Sequence, residues 1–70
     1  MSEHLDMVRR LDENINHMNK LAQELMDLEF HIPDQKVDGV DLRREAKVCR
    51  ETIFDLENRL MNLKQLIIKI

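Results

Sequence analysis

The sequence contains very few of the residues that end, bend or cross-link secondary structure. Among its 70 residues are one Gly, one Pro, one Cys and two Phe, with no Trp and no Tyr. So little Gly and Pro excludes a sandwich, a barrel or any other fold of many strands. The single cysteine excludes a disulfide within the chain. The composition therefore predicts an all-α fold.

Long hydrophobic runs are also missing. The longest run, from Leu66 to Ile68, has three residues, which is far too short to cross a membrane. No charged and then apolar signal segment opens the chain. The net charge of −3 produces no general attraction to nucleic acid or to an anionic membrane. We therefore expect a cytoplasmic protein that does not contact a membrane.

The sequence instead combines 36% charged with 43% hydrophobic residues, a mixture typical of long helices. Its first half carries an apolar stripe at the a and d positions of a heptad pattern: Val8, Leu11, Ile15, Met18, Ala22, Leu25 and Ile32. Its second half carries a similar stripe with alternating steps of four and three: Leu42, Ala46, Cys49, Ile53, Leu56, Leu60, Leu63, Ile67 and Ile70. These periods predict two amphipathic helices.

The boundaries of the helices follow from local signals. Pro33 ends the first helix, because the residue before a proline avoids helical backbone angles. Asp38 is predicted to cap the second helix, with Asp41 completing a capping box three places later. We predict one domain over residues 1–70, built from a helix over about 2–31, a connection over about 32–40 and a helix over about 41–70.

The two helices are predicted to pair antiparallel, as a coiled-coil-like hairpin. Residues 1–31 carry seven acids and three bases, whereas residues 42–70 carry seven bases and four acids, so the two helices attract each other. Layering a positions against d positions centres the connection on residues 34–36. In this register Cys49 is a small buried residue that faces Ala22 in a tight layer.

A homodimer is predicted from an additional apolar line on the first helix. Met7, Leu21 and Leu28 stand directly before its a positions and widen the stripe, as in a helix bundle. A lone two-helix hairpin buries only one stripe on each helix, and chains this short often oligomerise. We therefore predict that Met7, Leu21 and Leu28 form the interface of a dimeric four-helix bundle.

A second apolar line, Phe54, Met61 and Ile68, lies about 100° round the second helix from its a positions. The predicted seam does not need this line, and exposed lines of this kind commonly mark interfaces. It either closes the homodimer or binds a different protein. We expect a small protein–protein interaction module, an adaptor, regulator or chaperone, with these three residues as its partner-binding site.

A basic cluster on the second helix supports a different function. One hypothesis is that four residues contact the phosphates of a nucleic acid: Arg43, Arg44, Lys47 and Arg50. No aromatic residue stands among them to stack on a base, and acids of the first helix are expected nearby. Flanking ion pairs are the alternative interpretation.

The overall outline resembles two families of helical hairpins. Length, two helices and a short polar connection are similar to those of the Rop-type plasmid RNA-binding proteins, and this resemblance implies a dimeric RNA-binding regulator. The outline also resembles the small helical-hairpin chaperones of type III secretion needle subunits, which implies protein binding. Because the apolar period runs to Ile70, an oligomerisation segment of a longer protein is a further alternative.

Catalytic and metal-binding patterns are missing from the sequence. There is no Gly-rich phosphate loop and no arrangement of a nucleophile with a base. His17 and His31 are expected on the outer side of the first helix, away from other ligands. We predict no enzymatic activity, no metal and no cofactor.

Overall fold

The computed structural model describes residues 3–70, which fold into two long antiparallel helices. The helices are α1 (Glu3–His31) and α2 (Leu42–Ile68), and between them lie the short strands β1 (Lys36–Val37) and β2 (Val40–Asp41). The molecule measures 53 × 18 × 14 Å. The predicted all-α helical hairpin is therefore confirmed, whereas the predicted helix start at residue 2 lies outside the described residues.

The connection is a short β-hairpin with a two-residue turn, which the helical periods do not predict. β1 pairs antiparallel with β2, and Val37 lies opposite Val40. Between them Asp38 and Gly39 have φ angles of 53° and 80°. Positive φ at both central positions is typical of the type I′ turn, and Asp-Gly between apolar residues is its strongest sequence signal.

Asp41 caps α2, so the predicted capping box with Asp38 as the cap is wrong. The Asp41 carboxylate accepts hydrogen bonds from the backbone N–H groups of Arg43 and Arg44, at 3.1 and 3.3 Å. Asp38 is unavailable because it occupies the turn. Arg43 also donates from Nε to the carbonyl oxygen of Ile32 at 2.9 Å, and so satisfies a carbonyl just beyond the end of α1.

The register of the two helices differs from the predicted one by nearly a heptad. Two ion pairs join the helices, Glu29 with Arg50 and Asp12 with Lys64. Together with the β-ladder, these pairs centre the hairpin near residues 38–39. The predicted centre at residues 34–36 is wrong, because the Asp-Gly turn reverses the chain later than an irregular loop would.

The helix α1 packs as its heptad pattern predicts, whereas α2 is rotated. The predicted stripe of α1 is half-buried or buried throughout: Val8, Leu11, Ile15, Met18, Ala22, Leu25 and Ile32. The corresponding residues of α2 follow a different line: Leu42, Ala46, Arg50, Ile53, Glu57, Leu60, Lys64 and Ile67. The two helices therefore meet through a mainly apolar stripe on α1 and a stripe on α2 in which three of the eight residues are charged.

The prediction is consequently wrong for four of the nine residues assigned to the α2 seam. Cys49, Leu56 and Leu63, assigned to the seam by the heptad pattern, are exposed, as is Ile70. Their places are taken by the residues that directly follow the first three: Arg50, Glu57 and Lys64. The rotation has a physical cause, because Arg50 and Lys64 reach acidic partners on α1 in this register.

The buried core is very small. Within residues 3–70, Ala22 and Ala46 are the only buried hydrophobic residues, at 1% and 9% exposure. The accessible surface is 5861 Å², whereas a compact protein of 8.4 kDa exposes about 4,600 Å². The hairpin thus leaves uncovered an area comparable to a protein–protein interface.

We expect the turn to contribute measurably to stability through Gly39. A Cβ atom at this residue would meet nothing within 4 Å, so a substitution acts through the φ of +80° alone. Gly39→Ala should lower the free energy of unfolding by about 1–2 kcal/mol. Gly39→Asn is the control and should cost less, because Asn tolerates positive φ. Urea unfolding at one fixed protein concentration measures both, and an unchanged Gly39→Ala midpoint would contradict the turn.

Candidate interaction surfaces

The hairpin has two open faces, one on each side of the plane that contains both helix axes. An antiparallel pair has an approximate twofold axis perpendicular to this plane. Each helix contacts the other through two lines of positions, one containing Ala22 on α1 or Glu57 on α2, the other containing Leu25 or Ile53. On both helices, the residues directly before the first line lie on one face of the hairpin. The residues directly after the second line lie on the opposite face. Leu21 and Leu56, which precede Ala22 and Glu57, thus lie on one side of the hairpin.

The first face, which we name the leucine face, consists of six residues: Met7, Leu21, Leu28, Cys49, Leu56 and Leu63. Its five large apolar side chains are 40–49% exposed. Asn14 is the one polar residue that interrupts the α1 line. The residues predicted to form the dimer interface therefore stand beside the α2 residues that were predicted to lie in the seam.

The opposite face, which we name the phenylalanine face, includes the predicted partner-binding line and one residue of α1: Met26, Phe54, Met61 and Ile68. These side chains are 40–53% exposed. They follow directly after contact positions of their helices, as Phe54 follows Ile53 and Met26 follows Leu25. The two predicted lines of binding residues therefore lie on opposite sides of the hairpin.

A shallow pocket of about 260 Å³ extends the phenylalanine face toward the turn. Its lining consists of Met26, Glu29, Phe30, Arg43 and Arg50. Phe30 is 82% exposed, so it forms the outer edge of this pocket. The sequence pattern does not single out Phe30, although its place directly after the contact position of Glu29 is visible once the helix register is known.

The structure disperses the predicted basic cluster. Arg50 donates from Nε to Glu29 at 2.6 Å and is half-buried. Arg43 hydrogen-bonds to the carbonyl of Ile32. Arg44 and Lys47 are exposed and make no ion pair within residues 3–70. The four bases therefore do not act as one free surface.

The contact stripe of α2 carries alternating charge. Arg50 pairs with Glu29, and Lys64 pairs with Asp12 at 2.6 Å. Between them in the sequence, Glu57 has a buried Oε2 atom without a hydrogen-bond partner. Leaving a carboxylate oxygen unpaired costs free energy, so the interface between α1 and α2 is weaker than an apolar seam of the same length.

Other kinds of site find no support in the part of the chain that the structure describes. Residues 3–70 contain no cluster of three or more His, Cys, Asp or Glu side chains that could bind a metal ion. Over the same residues, neither helix has an apolar stretch long enough to traverse a bilayer. No family model, curated protein or solved structure matches the chain.

The half-buried ion pair between Glu29 and Arg50 should be energetically coupled. A double-mutant cycle with Glu29→Ala and Arg50→Ala should give a coupling energy of about 1–2 kcal/mol. The control cycle uses Asp55 and Arg59, an ion pair within α2 whose side chains are 67% and 77% exposed. Chemical unfolding should give about 0.3–0.5 kcal/mol for this control. Equal coupling in both cycles would contradict the register.

Proposed function

We propose that the chain is a cytoplasmic protein–protein interaction module, an adaptor, regulator or chaperone, that binds a helix of a partner protein on its phenylalanine face. One observation carries the proposal. The only two aromatic residues of the chain are both exposed: Phe54 belongs to this face, and Phe30 lines the adjoining pocket together with Met26. The packing of α1 on α2 does not use either side chain as a contact position.

The chemistry of this face suits protein binding. Exposed apolar patches commonly mark interaction sites, and Phe and Met are enriched in the centres of interfaces. The flexible side chains of Met26 and Met61 can adapt to differently shaped partners. A third helix can lie in the groove between α1 and α2, where it would contact the apolar row of α2 on one side and Met26, Asn19 and Asp12 of α1 on the other.

Positive charge at one end of the groove indicates which helix would fit. Lys47 continues the line of Phe54 and Met61 toward the turn at the same seven-residue spacing. Arg43 lines the pocket beside Phe30. The proposed partner is therefore an amphipathic helix with apolar anchors on one side and acidic residues at the end that lies near the turn.

A Rop-like RNA-binding regulator is the alternative function. It has one supporting observation: Arg44 and Lys47 are exposed and make no ion pair with any residue from 3 to 70. Phosphate contacts release counterions, so such binding weakens steeply with salt. If a hairpin RNA binds with a steep salt dependence that Arg44→Gln and Lys47→Gln reduce, the RNA-binding alternative replaces the protein-binding proposal.

The proposal is tested with displayed helical peptides of about 20 residues, which span about 30 Å. Their apolar positions are fixed at i, i+3, i+4 and i+7, and their outer positions vary among Glu, Gln and Lys. We expect selected peptides to be enriched in Glu near the end that lies over Lys47. Fluorescence anisotropy should then show that Phe54→Ser with Met61→Ser weakens binding by at least about tenfold, because a few large apolar anchors dominate interfaces.

The matched control is Asp55→Ser with Asn62→Ser, two exposed positions seven residues apart on the side of α2 that faces away from α1. This control should bind the selected peptides as the original chain does. Circular dichroism checks that both double variants remain helical. If no peptide is selected, or if the Phe54 and Met61 changes leave affinity intact, the proposal is wrong. If those changes instead abolish self-association, the oligomerisation-segment interpretation takes its place.

A further inference from the structure

We infer that the leucine face is covered by the leucine face of a second copy, with the twofold axis parallel to the helices and both turns at the same end. The result is a four-helix bundle in which α1 of each hairpin packs beside α2 of the other. The α2 residues Cys49, Leu56 and Leu63, which do not serve the seam within the hairpin, become core residues of the dimer.

The accessible surface of the hairpin is large enough to include an interface with a second copy. The accessible surface of 5861 Å² exceeds that of a compact monomer of this mass by about 1,200 Å². A standard interface removes about 800 Å² from each partner. Dimerisation through the leucine face would therefore cover most of the additional accessible surface. The rest of that surface includes the phenylalanine face, which stays exposed in the dimer.

The composition of the two faces selects the leucine face for this role. Its α1 line has Asn14 as the single polar residue among Met7, Leu21 and Leu28. The α1 line of the opposite face contains Asp12 and Asn19, and Asp12 is held there by its ion pair with Lys64. Covering an ion pair of this kind costs desolvation free energy, whereas covering leucine side chains is favourable.

Charge selects the orientation of the two hairpins. Residues 1–31 carry seven acids and three bases, whereas residues 42–70 carry seven bases and four acids. A twofold axis parallel to the helices places each acidic α1 beside the basic α2 of the other copy. An axis perpendicular to the helices, with the turns at opposite ends, places α1 beside α1 and α2 beside α2, where like charges repel.

The dimer would present two phenylalanine faces on opposite outer sides, and this consequence rests on the proposed function. Each face could then hold one partner helix, so the assembly would join two partner molecules. Self-association does not depend on this step. The dimer and the binding of peptides to the phenylalanine face can therefore fail separately.

Sedimentation equilibrium tests the interface. The original chain should sediment at twice 8.4 kDa, and its thermal midpoint should rise with protein concentration, as it does for a dimer. Leu21→Asn with Leu56→Asn should raise the dimer dissociation constant by at least about 100-fold. Phe54→Ser with Met61→Ser, the matched change on the opposite face, should leave it within about threefold.

Either monomer or unfolded chain from the Leu21 and Leu56 variant supports the inference, provided that the Phe54 and Met61 variant stays dimeric. The inference is overturned if the original chain is monomeric at tens of micromolar with a midpoint independent of concentration. It is also overturned if the leucine-face variant remains a dimer, or if the phenylalanine-face variant dissociates.

A distance measurement tests the orientation. Asp34→Cys, combined with the apolar replacement Cys49→Ala, places one spin label on the exposed connection and leaves the leucine face apolar. With both turns at one end, pulsed electron resonance should give a distance of about 20–30 Å, since neighbouring helix axes lie about 10 Å apart. Turns at opposite ends would separate the labels by about the 53 Å length of the hairpin. A distance near that length overturns the proposed orientation.

Discussion

The reversal of the chain at Asp38 and Gly39 is the constraint on which the rest of the structure depends. Two consecutive residues with positive φ turn the chain within a two-residue loop, and Asp41 then begins α2 directly as its cap. This short connection sets the register of the helices. In that register Glu29 reaches Arg50 and Asp12 reaches Lys64, so the ion pairs stabilise the alignment that the turn imposes.

The register has a consequence for the orientation of α2 about its own axis. Ala46, Ile53 and Leu60 belong to two overlapping stripes. One stripe is completed by apolar residues, of which Leu56 is an example, and the other by the charged residues that directly follow them, such as Glu57. The ion pairs turn the charged stripe toward α1. The hairpin interface thereby contains an unpaired carboxylate oxygen, and leucine side chains are left on the surface.

This rotation separates two apolar faces on one small molecule. The exposed leucines join the additional apolar line of α1 on one face, and Phe54 lies with Met26 on the other. Because residues 3–70 bury only two alanines, a single hairpin gains little free energy of folding from its core. In the proposed assembly the leucine face supplies the missing core from a second copy, while the phenylalanine face remains exposed for a partner helix.

The sequence by itself determined the two helices, their antiparallel arrangement and the buried stripe of α1, because heptad spacing and Pro33 act locally along the chain. It also contained the Asp38-Gly39 signal, but Asp41 three places later made a capping box an equally natural interpretation. Only the tertiary structure decided which side of α2 faces α1. The line through Ile53 fits both stripes, and the choice depends on pairings such as Glu29 with Arg50, between residues far apart in the chain.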